Sequence, residues 1–87
     1  MANTPSAEKR IRQNAKRRSR NRAARSRLRT AVKSVRSEVE AGNKAGAEEL
    51  LQPTLSLIDA TAQKKIIHRN AAARTKSRLQ RAVNGLS

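Results

Sequence analysis

The chain contains no cysteine, tryptophan, tyrosine or phenylalanine, and its 87 residues include only three glycines, two prolines and six acids. Without cysteine there is no disulfide framework and no thiolate metal site, and nothing points to an oxidising compartment. Without aromatic rings, a core has to be made from seven Leu, four Ile and four Val. That share lies below the roughly one-fifth level at which a highly charged chain stops folding readily on its own. No run approaches the ~20 apolar residues of a membrane span. The basic residues near the N-terminus are followed by no apolar stretch, so the segment does not read as a signal peptide. An Arg-rich, acid-poor start also marks organelle transit peptides, but the same character continues to the C-terminus, which favours an uncleaved cytoplasmic protein. Glycine-rich phosphate loops and a second histidine are missing, and the acids are concentrated away from the one histidine, His68. No enzyme, metal centre, cofactor or small-molecule substrate is therefore expected.

What is abundant is positive charge: 21 Lys and Arg against 6 acids, a net charge of +15. Self-repulsion on that scale opposes compactness and points to a polyanionic partner. The charge is unevenly spread. Residues 1–41 hold 13 basic and 3 acidic side chains, residues 42–63 hold 1 and 3, and residues 64–87 hold 7 and 0. Between Lys9 and Arg29 there are eleven cations, nine of them Arg, with no acid and only two large apolar residues, Ile11 and Leu28. Such cations cannot be buried unpaired, and a merely solvated face would intersperse acids among them. The candidate phosphate contacts are thus Lys9, Arg10, Arg12, Lys16, Arg17, Arg18, Arg20, Arg22, Arg25 and Arg29. The planar guanidinium fork binds phosphate bidentately and stacks on bases. A membrane-surface helix would carry Trp, Phe or Leu opposite its cations. This segment has Ala there, so no membrane partner is expected.

Hydrophobic periodicity predicts an all-α fold of three helices in an up-down-up bundle, forming a single domain over 1–87. After a tail at 1–5, the first helix is expected over 6–41, capped by Thr4 or Ser6, with Pro5 tolerated at its start and Glu8 suited to its positive end. Ala24, Leu28, Ala31, Val32, Val35 and Val39 form its apolar stripe, so its first half is a basic arm and its second half a packing element. Gly42 supplies a left-handed stop and Asn43 a cap for the second helix, 44–63. The stripe there is Ala47, Leu51, Leu55, Ile58 and Ala62, widened by Leu50 and Leu57; Gly46 weakens it and Pro53 is expected to kink or divide it. The third helix is expected over 66–84, stopped by Gly85, with Ala72, Thr75, Leu79, Ala82 or Val83, and Leu86 inward. Lys65, His68, Arg69, Asn70, Arg74, Lys76 and Arg78 are its candidate backbone contacts. His68, the lone histidine, reads as a hydrogen-bonding or packing residue. The sequences around Asn21 and Asn70 invite comparison with leucine-zipper basic regions, but their spacing is imperfect and no leucine heptad follows.

Several blocks are distinctive beyond their charge. Met1-Ala2-Asn3 with Ser6-Ala7-Glu8-Lys9-Arg10, Leu28-Arg29-Thr30-Ala31-Val32-Lys33, the Glu40-Ala41-Gly42-Asn43-Lys44 turn and, above all, Ile67-His68-Arg69-Asn70-Ala71-Ala72-Ala73-Arg74 follow one another in order. In this the chain resembles the bacterial small-subunit ribosomal protein twenty family over essentially its whole length. The resemblance implies a three-helix protein in the small ribosomal subunit, binding small-subunit ribosomal RNA directly and helping assemble it, beside other small-subunit components. Recognition of A-form RNA would proceed by shape and backbone, because its base edges lie in a deep groove. The rival reading is a histone-like, DNA-compacting architectural protein, which shares the charge but not the block around His68.

Overall fold

The computed structural model describes residues 4–86, and these form three α-helices: α1 (Pro5–Glu40), α2 (Lys44–Gln63) and α3 (Arg69–Asn84). Among the described residues there is no strand, and the helices make an all-α bundle. The expected tail and the opening Met1-Ala2-Asn3 lie outside the described residues, except for Thr4 and Pro5.

Of the two expected caps for α1, Thr4 serves: it is extended and its hydroxyl accepts the Ala7 amide at 3.2 Å, with Pro5 at the first helical position. The helix ends at Glu40, one residue before the predicted 41, and closes by a Schellman motif. Gly42 (φ 74°) donates to the Val39 carbonyl at 3.0 Å, and Asn43 donates to the Glu38 carbonyl at 2.9 Å. This satisfies carbonyls that the helix end leaves without partners.

The end of α2 repeats the motif with a different residue. Lys65 donates to the Ala62 carbonyl at 2.9 Å and Ile66 to the Thr61 carbonyl at 3.1 Å. Lys65 therefore occupies the left-handed position, with φ 61°, where glycine is favoured. This closure draws Ile66 and Ile67 into the linker, and α3 begins at Arg69, three residues later than the predicted 66. His68 caps it, its Nδ1 accepting the Asn70 amide at 3.1 Å. Gly85 stays in the right-handed region at φ −75°, so α3 stops without a left-handed turn.

Two features expected to weaken α2 behave differently. The helix runs on through Pro53 without dividing. Pro53 and Glu49, whose carbonyl would have taken the missing donor, are both exposed, so water can serve that carbonyl. Gly46 makes room for the cap. A Cβ there would meet Asn43 Nδ2 at 2.6 Å and Glu38 Oε2 at 2.7 Å. Those atoms are engaged: Asn43 accepts the Gly46 amide at 3.1 Å and donates to Glu38 at 2.8 Å.

The core is a thin seam of Val35, Ala47, Leu55, Ile58, Ala72, Leu79 and Val83. Thr54 and Thr61 are buried beside it, their hydroxyls donating to the Leu50 and Leu57 carbonyls at 2.8 and 2.6 Å. These back-bonds satisfy the hydroxyls within the helix. Only Val35 of α1 is fully buried, and from Glu8 to Arg20 every α1 residue is exposed. The protein is correspondingly long, 62 × 21 × 17 Å with a radius of gyration of 17.5 Å. A compact domain of this length would have a radius near 12 Å.

The paired motifs predict opposite responses to substitution. Gly42→Ala forces a Cβ into the left-handed region and should destabilise by about 1 kcal/mol. Lys65→Gly relieves a strain of about 1–2 kcal/mol while adding about 0.5–1 kcal/mol of backbone entropy, and should stabilise by the difference. Thermal unfolding followed by circular dichroism checks both, at roughly 4–8 °C per kcal/mol for a domain of this size. A fall in Tm for Lys65→Gly would refute the strain assignment.

Candidate nucleic-acid interface

The basic arm projects past the bundle as a bare helix. Lys9, Lys16 and Arg20 lie seven and four residues apart and share one line along α1; Arg12 flanks them on one side and Arg10 and Arg17 on the other. Arg18 alone points the opposite way. All seven are exposed. Among the described residues the one ion pair is Lys76 with Asp59, at 2.9 Å, so no acid of the chain neutralises the arm.

Beyond the arm, α1 meets the linker between α2 and α3. Arg25 Nη2 donates to the Ile66 carbonyl at 3.3 Å, tying the linker across the helix. Beside this tie is a cradle formed by Arg17, Arg20, Asn21, Ala24 and Arg27 of α1 together with Lys64 and Ile66 of the linker. Cations from residues about forty positions apart in sequence thus face one hollow. Arg22 and Arg29 are exposed elsewhere on α1.

On α3, packing and charge divide by face. Ala72, Leu79 and Val83 are buried, while Arg69, Arg74 and Arg78 are exposed, with Arg74, Arg78 and Arg81 around one shallow hollow. Asn70 is exposed, its amide serving the His68 cap. Lys65 and Arg69 stand near His68 around a second linker hollow. Lys76 differs from the other candidates, because its ammonium donates to both Asp59 oxygens, at 2.9 and 3.2 Å. It is thus paired with an acid at the surface, which, among the described residues, the other candidates are not.

Three cations absent from the sequence-based set join these hollows: Arg27, Lys64 and Arg81. Arg27 continues the spacing 17, 20, 24, 27 along α1, a signal present in the sequence. Lys64 becomes significant only once the linker is known to cross α1. No group of acids, histidines or cysteines suited to a metal ion occurs among the described residues, and no helix is long and apolar enough to cross a membrane.

The geometry defines a class: small, all-α, polycationic proteins whose helices expose arginine on several faces and bury only a narrow aliphatic seam. Within that class the chain belongs to the ribosomal protein S20 family, whose description matches residues 2–84. It is 57% identical over 86 residues to the small ribosomal subunit protein bS20 of Burkholderia cenocepacia, a match covering 99% of this chain and 96% of that protein. It is 55% identical over 86 residues to the protein of the same name from Nitrosomonas eutropha, covering 99% of each.

The cradle predicts coupling between α1 and the linker. Arg27→Gln and Lys64→Gln should each weaken binding to structured RNA. If both hold the same phosphate, the double variant should fall short of the sum by at least about 0.5 kcal/mol. Filter binding at constant salt measures this cycle, and strict additivity would show that the two cations act separately.

Proposed function

We propose that this protein is a non-enzymatic structural constituent of the small ribosomal subunit, in the cytoplasm, which binds small-subunit ribosomal RNA directly and helps assemble and stabilise it. The observation that carries the reading is the arm: an exposed helix with eleven cations and no acid between Lys9 and Arg29, in a member of a ribosomal protein family. A helix this basic reaches a low free energy only against dense negative charge, and releasing the counterions of that partner drives the contact. Family membership supports ribosomal RNA as the partner over DNA, the rival polyanion. Other small-subunit components would be neighbours in the assembled particle.

In this reading α1 lies along RNA phosphates, while the cradle and the exposed face of α3 meet further backbone, so one chain fastens several RNA segments. Arg69, Arg74 and Arg78 of α3 contribute alongside the arm residues, Arg10, Arg22 and Arg29 among them. His68 contributes by capping α3 and so placing Arg69 and Asn70. Lys76 contributes least, because Asp59 already holds it. The contacts reach phosphates and sugars, so the RNA is recognised by shape.

The test is competition. Labelled small-subunit ribosomal RNA is bound by the full chain and challenged with duplex DNA and unrelated RNA across a salt series. All three should bind at low salt; ribosomal RNA should persist at physiological salt after the others have released. Joint release of all three would sink the ribosomal reading in favour of a general polycation. Changing Lys9, Arg12, Lys16 and Arg20 together to Gln should remove about four contacts and lower the slope of log K against log salt by roughly 3–4, with helicity unchanged. Leu79→Ala should do the reverse: it costs roughly 2–5 kcal/mol of stability and leaves the salt slope alone.

A further inference from the structure

α1 and α3 leave an open groove between them. Leu28 and Val32 of α1 and Ile67 of the linker line it, with Thr75 on the α3 side. Arg25, Arg29, Lys33 and Arg36 stand along its α1 edge, all exposed. The ion pair of Lys76 with Asp59 involves none of these edge cations. Leu28, Val32 and Ile67 pack against the core on one side yet remain only half-buried. A chain with fifteen large aliphatics leaves part of three of them open in one place. Phosphate alone does not account for this, because the arm already offers cations without any apolar floor.

A ligand matched to the groove has the same division: a flat, poorly hydrated body beside an anionic backbone. We infer that the groove seats one unpaired nucleotide of RNA, its base on Leu28, Val32 and Ile67 and its flanking phosphates on the cations of the edge. The inference rests on the reading of the chain as an RNA-binding protein and assigns the kind of RNA feature it accepts. Unstacked bases are ordinarily received by aromatic rings or by guanidinium planes. This chain has no Phe, Tyr or Trp, and its one imidazole, His68, is held as the cap of α3, so the groove offers an aliphatic floor flanked by the guanidinium groups of Arg25 and Arg29.

An acidic amphipathic helix is the competing occupant, and the dimensions disfavour it. The apolar floor along α1 runs from Leu28 to Val32, about 6 Å at the helical rise. A docking helix presents anchors at i, i+3, i+4 and i+7, spread over about 10 Å. At the Arg25 end the groove meets the linker that the Arg25–Ile66 bond holds in place at 3.3 Å. One base is the better match. An unpaired base also has the least stacking to lose on entering, which favours bulged RNA over paired RNA.

The experiment uses the full chain and two RNA duplexes of equal length, one fully paired and one carrying a single bulged 2-aminopurine. At low salt, where any RNA binds, the bulged RNA should bind roughly tenfold tighter, the scale of one well-formed contact, and its fluorescence should change on binding. Ile67→Ser should abolish the preference while leaving affinity for the paired duplex. Thr75→Met, which fills the groove instead of emptying it, should give the same loss with Tm maintained, separating occupancy of the groove from loosening of the linker. Equal affinity for the two RNAs with silent fluorescence would overturn the inference and leave the ribosomal reading intact. Failure of both RNAs to bind even at low salt would overturn both. Capture of an acidic amphipathic peptide, lost in Ile67→Ser and accompanied by no bulge preference, would reassign the groove to a protein partner.

Discussion

Mutual repulsion among twenty-one cations, opposed by only six acids and fifteen large aliphatics, is the constraint to which each element of this fold answers. Repulsion falls with separation and with hydration, and α1 provides both. A 36-residue helix holds its cations along roughly 54 Å at the helical rise, and from Glu8 to Arg20 it is wholly exposed. The acids lie outside the basic arm of Lys9 to Arg29: Glu8 stands just before it, and the others at the α1–α2 corner and on α2. Burial is confined to a seam one side chain wide in which Val35 is the only fully buried residue α1 supplies. A rounder protein of this composition would crowd its cations around a core too small to hold them together.

Much of this was legible in the sequence, for reasons that particular residues make plain. Helical spacing of Leu28, Val32, Val35 and Val39 marks the packing half of α1, and the absence of such spacing before Ala24 marks the arm. Gly42 and Asn43 announce the first corner because each has few other physical roles in that position. The second corner was misjudged because its signal is hidden. Lysine stands where the backbone turns left-handed, so the sequence carries no glycine to end α2, and the apolar pair Ile66-Ile67 suggests an early start for α3. Thr54 and Thr61 escaped the predicted stripe because a hydroxyl reads as polar, although both lie at seven-residue intervals from Ala47. Only the back-bonds to Leu50 and Leu57 make them suitable for burial.

The candidate interface divides in the same manner. Cations on a single helix are visible as a run, and their sharing of a face follows from spacing. What the run does not contain is the return of the chain: Lys64 faces Arg17, Arg20 and Arg27 across one hollow because a bond from Arg25 to Ile66 lays the linker over α1. The pairing of Lys76 with Asp59 is likewise tertiary and separates that lysine from cations of the same helix with identical local sequence character.

These placements bear on how a protein with so few base-reading groups distinguishes one polyanion from another. Charge alone binds any nucleic acid, and arginine on a flexible chain would do so without preference. Here the arm, the cradle and the exposed face of α3 are fixed relative to one another by a continuous helix and two hydrogen-bonded corners, in a molecule 62 Å long. Simultaneous contact then requires phosphates at matching separations, which a folded RNA with several converging segments provides and a uniform duplex does not. On the proposed RNA-binding reading, selectivity would be a property of this spacing. Replacing the left-handed Lys65 by glycine would relax the corner but remove a cation from the linker hollow it shares with His68 and Arg69. On the same reading, the left-handed backbone at Lys65 would mark a charge retained on the linker at some cost to the fold, the pattern expected where local preference yields to binding.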